Sequence, residues 1–256
     1  MFTAAQAQSF KEQHRDISIG LLHLHAGFMA EAAKLTPEQG REYLRYGVAR
    51  RLYLMVVTLG NIYRVFPPDR AETLTIAQVA DVQINLQAYV INLAGCFDCM
   101  AWAFVLRHAL PVRKPNGVGL FLTRTSQFLP KALQDYLSAP EMREWQQRYL
   151  KDYRDALAHR IPLFIPPAQM TPDEHMRYRE LEAAKIEALM HLDMNRSDAL
   201  AAEQAAIGSP SFMFAHSVET ENPSRPVWLH PQILSDAVGL TQFARLFLAH
   251  WHERAS

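Results

Sequence analysis

Arg154 and His159, at the two ends of Arg154-Asp155-Ala156-Leu157-Ala158-His159, combine two side chains well suited to phosphate-ester chemistry. A guanidinium is always charged and grips two phosphate oxygens with its planar fork, while an imidazole changes charge near neutral pH and moves protons in either direction. Geometry weakens the other candidates. Cys96 and Cys99 form a Cys-x-x-Cys pair, half of a tetrahedral metal site, and the chain has only these 2 cysteines. His23 and His25, like His250 and His252, are alternate residues, which a helix points about 200° apart, so neither pair converges on one ion. These groups read as small buried thiols and ordinary histidines, with no metal or cofactor expected, and the residues around His250 lie near a chain end, where fraying is expected. Asp98 differs, because a carboxylate in the most apolar stretch of the chain must be paired, neutralised or used.

Helices are what must position these groups. Three starts share one chemistry, a hydroxyl cap followed by proline and a carboxylate or amide: Thr36-Pro37-Glu38-Gln39, Ser138-Ala139-Pro140-Glu141 and Thr171-Pro172-Asp173-Glu174. Prolines at 67–68, 111, 162 and 166–167 supply the stops. The pattern predicts helices near 4–34, 37–65, 74–109, 127–137, 139–160, 172–206 and 231–253, with Gly208 closing the sixth. Between 211 and 229 a small hairpin around Asn222-Pro223-Ser224 is expected, its register weakened by two prolines. In the 139–160 helix, Met142, Trp145, Tyr149, Leu150, Tyr153, Ala156 and Leu157 fall on one apolar face. Arg154 and His159 flank that face about 140° apart, so a regular helix does not aim both at one point. Pro162 ends the helix at the histidine and lets that turn reorient; alternatively, two copies of the helix meet and the Arg of one faces the His of the other.

Composition favours the same architecture. With 49% hydrophobic residues and only 10 glycines in 256 residues, the chain can bury a large core and is poor in the residues that hairpins and phosphate loops consume. The net charge is zero, so no whole-molecule field draws the protein to nucleic acid or anionic lipid, and any anion site is local. Charge is nevertheless segregated: residues 107–160 hold ten basic against five acidic side chains, and 161–256 seven against twelve. The expected organisation is a bundle over 1–165 and a more acidic helical extension over 166–256 packed on it, with the seam at IPLFIPP. The apolar stretch 84–106 carries only Asp98 as a charge and reads as a buried bundle helix, since an ionised Asp at a bilayer centre costs about 2.5–3.5 kcal/mol. A cytoplasmic location without membrane attachment is expected from the polar N-terminal stretch.

The Arg154-Asp155-x-x-x-His159 stretch, on a late helix that a proline ends at the histidine, resembles the Arg-polar-x(3–5)-His motif of the HEPN superfamily. The resemblance covers about residues 10–165. Two other Arg-to-His pairs have the same spacing, but Pro226 follows Arg225 and apolar Leu246 follows Arg245, so context rather than spacing carries the assignment. The resemblance implies an all-α antiparallel bundle that forms a homodimer and a metal-independent endoribonuclease site built from Arg154 and His159 in the dimer cleft. It further implies RNA as substrate, a 2′,3′-cyclic phosphate as product, and, in a toxin-like member, an inhibitory protein partner. On this reading Asp155 orients the Arg, Asp98 orients the His, and Arg143, Arg148, Lys151 and Arg160 form a basic strip for RNA, joined by Arg113, Lys114, Arg124 and Lys131. Tyr149 and Tyr153 stack bases only if exposed, and core positions suit them better. The competing expectation is a non-catalytic dimeric helical module that binds a protein partner or a nucleotide-like ligand.

Overall fold

A computed structural model of the chain describes residues 1–35, 38–112, 117–166, 168–215 and 226–255. Helices α1 (Ala4–Ala33), α3 (Arg50–Val65), α4 (Ile76–Arg107) and α11 (Leu229–His250) build the core, and α2 (Glu38–Glu42) leads into α3 through a π-helical turn at Tyr43–Ala49. The protein is an all-α bundle with one short β ribbon, as its composition and periodicity predict. Capping boxes at Thr3–Gln6, Thr75–Gln78 and Thr171–Glu174 start α1, α4 and α9 (Pro172–Met190); only the last was anticipated. The Thr36–Pro37 start lies outside the described residues.

Cross-contacts give the helix directions. Tyr63 Oη donates to Phe10 O while His25 Nδ1 lies 2.8 Å from Ala49 O, so α1 and α3 are antiparallel. Asn61–Asn85 at 3.0 Å and Arg51–Asn92 at 3.2 Å make α3 and α4 antiparallel as well. The last helix behaves differently. Tyr89 Oη donates to Ile233 O at one end and His108 Nε2 meets Trp251 O at the other, so α11 runs parallel to α4 and therefore to α1. A connection of more than a hundred residues makes that possible, because only a short link forces an antiparallel neighbour. Phe28, Tyr89, Phe104, Phe243, Phe247 and Trp251 are fully buried at this junction, each worth about 1.5–3 kcal/mol. The C-terminal helix is thus inside the core, and Trp251, under the Arg107 guanidinium at 4.8 Å, pins the end where fraying was expected.

Several boundaries differ from expectation. The expected 127–137 helix is shorter, α6 (Lys131–Ser138), starting after Pro130, and a separate short helix, α5 (Thr123–Ser126), precedes it. Ser138 is not the cap of the next helix: its hydroxyl donates to Asp135 O, Ala139 occupies the cap position, and α7 (Pro140–Trp145) starts without a side-chain cap. The 172–206 segment breaks into α9 and α10 (Met194–Ala205), because Leu192 turns to φ 56° and Asp193 caps Arg196 N. Ala206 is the C-cap of α10, and Gly208, at φ 88°, turns the chain two residues later. Strands β1 (Met213–Phe214) and β2 (Val227–Trp228) pair antiparallel; the expected turn at Asn222-Pro223-Ser224 lies outside the described residues, as does His216. Helix α4 is long and apolar enough to cross a membrane, but 72% of its most apolar window is buried against the rest of the protein.

Candidate functional site

The 139–160 segment is one rod with a defect: α7, a π-helical turn at Gln146–Lys151, and α8 (Asp152–His159). Its expected apolar face is in place, with Met142, Leu150, Tyr153 and Ala156 buried and Trp145 and Tyr149 half-buried. Tyr153 is therefore withdrawn from base stacking. The π turn has a geometric consequence. Over eight residues a regular helix drifts about 80°, and one extra residue in the turn sets the register back about 100°, so Gln146 and Arg154 come to share a face.

That face forms one wall of a cleft of about 220 Å³. Gln146, Leu150, Lys151 and Arg154 line it together with Phe97 and Asp98 of α4 and with Leu120 and Phe121. Asp155 steadies the arginine: its carboxylate lies 3.2 Å from Arg154 and 2.7 Å from Lys151 Nζ. Burial pushes the Asp155 carboxyl up, but the bond from Lys151 and the charges of Arg154 and Arg160 outweigh it and hold it below the usual range. Asp98 lies at an open rim, yet packed atoms crowd it enough to raise its carboxyl, against the charges of Arg154 and Arg51. Among the described residues no ion pair or hydrogen bond engages the Asp98 carboxylate. Arg51 itself lies over Gly95, where a Cβ would stand 2.5 Å from its Cζ, and donates to Asn92 Oδ1. Sequence reasoning passed over Arg51 and Gln146; a glycine one turn before a lone carboxylate was the only available signal.

His159 is exposed on α8 and is absent from this cleft. Helix α8 is regular from Asp152 to His159, so nothing removes the angular offset from Arg154. Asp98 accordingly sits with the arginine rather than the histidine. The chain does stop as Pro162 requires, with Arg160 extended after the last turn. Of the basic strip, Arg143 is exposed, while Arg148 pairs with Glu144, Lys151 with Asp155, and Arg160 with Asp152 at 3.8 Å. Lys131 pairs with Asp135, Arg124 is exposed, and Arg113 and Lys114 lie outside the described residues. Much of the local positive charge is thus answered one turn away.

The remaining candidates are structural. Cys96 is buried and burial pushes its thiol far up, Cys99 is half-buried, and no cluster of metal ligands occurs among the described residues. His25 meets Ala49 O and His252 meets Glu31 at 3.0 Å. His230, in the Trp228–Pro231 stretch, is fully buried with Nε2 at 2.8 Å from Phe66 O, and caps the core. No protein-family model matches the chain, and no curated protein or solved structure matches it significantly.

Proposed function

We propose that the protein is a metal-independent endoribonuclease of HEPN type, acting as a homodimer in which the histidine of one copy completes the arginine cleft of the other. The observation that carries the reading is Arg154, tethered by Asp155 and presented into an open cleft that Asp98 and Gln146 also line. Completion by a second copy is the reading's account of His159 standing exposed and outside that cleft. Exposed Ile84 and Ile91 lie two heptads and one heptad before Asp98 on the same face of α4, with exposed Leu54 and Val57 on the neighbouring α3, an apolar approach suited to a like copy.

In the proposed reaction the His159 imidazole accepts the ribose 2′-OH proton as that oxygen attacks the adjacent phosphorus. The bond from phosphorus to the 5′ oxygen breaks, and the imidazolium returns a proton to the leaving oxygen. Arg154 holds the phosphate oxygens and stabilises the charge that builds on them. The products are a 2′,3′-cyclic phosphate and a 5′-hydroxyl.

Incubation of the protein with mixed RNA in excess EDTA, followed by analysis of product ends, tests the reading. Expected are cyclic-phosphate ends, a loss of at least about 100-fold in rate for His159→Ala, and a similar loss for Arg154→Lys. Cleavage that survives His159→Ala or needs a divalent ion removes the mechanism. A monomer by light scattering at assay concentrations removes the composite site.

A further inference from the structure

The cleft beside Arg154 contains more recognition chemistry than phosphate transfer requires. Its polar groups other than the cations are a carboxylate, Asp98, and a primary amide, Gln146, and among the described residues neither side chain has a hydrogen-bond partner. Both line the cleft together with the apolar side chains of Phe97, Leu120, Phe121 and Leu150. At about 220 Å³ the space is smaller than the roughly 300–1,000 Å³ of a drug-sized site, and it suits a single flat ring system. Half-buried Phe121 offers a face for stacking.

We infer that this cleft is a guanine-binding pocket. Among the four RNA bases only guanine places two adjacent N–H donors, N1–H and the N2 amino group, next to an acceptor, O6, on one edge. A carboxylate with both oxygens free accepts the two donors side by side, and the Gln146 amide donates to O6. Adenine and cytosine each bring one amino donor to that edge, and uracil one imide N–H, so each leaves a carboxylate oxygen unanswered. Lys151 and Arg154 at the same wall then meet the phosphate of that nucleotide. The pocket exists because the π turn brings Gln146 round to the face of Arg154, and Gln146 is the first residue of that turn. The base pocket deepens the ribonuclease reading, resting on it only for the role of the phosphate, and sets a preference for cleavage next to guanosine. Guanine carried by RNA and guanine in a free nucleotide present the same edge.

Calorimetric titration of the full-length chain with GMP, AMP, CMP and UMP, and with uncleavable 2′-O-methyl GpU and ApU, tests the pocket. GMP is expected to bind at least about tenfold tighter than the other three, and Asp98→Asn, which keeps the shape but presents an N–H to the two donors, abolishes the preference. Gln146→Leu, on the motif rod rather than on α4, lowers the preference and serves as the second variant if Asp98→Asn does not fold by circular dichroism. A stronger preference for GpU over ApU than for GMP over AMP assigns the pocket to RNA, and the reverse assigns it to a free nucleotide. Equal affinity for all four mononucleotides, or binding of none at millimolar concentration, overturns the inference. GMP selectivity without RNA cleavage leaves the pocket standing and removes the nuclease, whereas cleavage without base preference does the opposite.

Discussion

A methyl group added at Gly47 would lie 2.7 Å from Cys99 Sγ and 2.9 Å from its Cβ. The clash involves an atom fixed to the α4 backbone, so relief requires α4 and the π turn at 43–49 to separate. Gly47→Ala is therefore expected to destabilise by about 1–2 kcal/mol in urea titration, because overpacking costs roughly 1–3 kcal/mol and the better helix propensity of alanine returns at most about 1. At Gly95 the colliding atoms are the tip of the Arg51 side chain, which can swing away. Substitution there acts on the position of Arg51 more than on the backbone. Little of this was legible in sequence: a glycine in a helix signals close approach, but not by what.

At the scale of elements, a part-buried polar contact ties the motif helix to the core. Trp145 Nε1 donates to Asp236 Oδ1 at 2.7 Å, joining α7 to α11, and Gln232 donates to the same oxygen from within α11. Asp236 is buried and burial pushes its carboxyl up to about 7 against the two hydrogen bonds. Trp145→Phe keeps the ring packing with Phe97 but removes the donor from α7. It is expected to cost about 1–3 kcal/mol, the desolvation cost of a buried acceptor that loses a partner, and hydrogen exchange should show the loss concentrated in residues 140–159. The π turn belongs to this scale too. Composition and apolar spacing identified a helix over 139–160, yet spacing at 100° per residue has no term for an inserted residue, so the alignment of Gln146 with Arg154 was invisible.

For the whole molecule, two buried titratable groups on α11 oppose one another. Asp236 has a folded pKa of about 7, well above its ordinary value of 3.8, so its contribution is fully present below about pH 4 and is lost as pH rises through about 7. His230 is depressed from 6.5 to about 4 by burial, against a hydrogen bond to Phe66, so its contribution is present above about pH 6.5 and is lost as pH falls through about 4. Each is worth on the order of 3–4 kcal/mol at most. Between pH 4 and 6.5 the two trends run in opposite directions and flatten the native profile. Thermal or urea unfolding across pH 4–8 checks this. Asp236→Asn should gain stability relative to the native chain as pH rises from 4 to 7, and His230→Gln should gain relative to it as pH falls from 6.5 to 4. A native-minus-variant difference that does not change with pH refutes the assignment for that residue.

The all-α class, the long helices and their proline stops, and the pairing of Arg154 with a polar neighbour followed from sequence alone, because caps, prolines and apolar periodicity are local and act wherever the chain goes. Tertiary structure decided what meets across the chain. It made α11 an inner helix parallel to α4, since residues 107 and 251 share a cation–π contact that no local pattern encodes. It also put Asp98 beside Arg154 and left His159 outside the cleft, because a carboxylate on α4 and a guanidinium on α8 become neighbours only when two helices pack and a π turn sets their register.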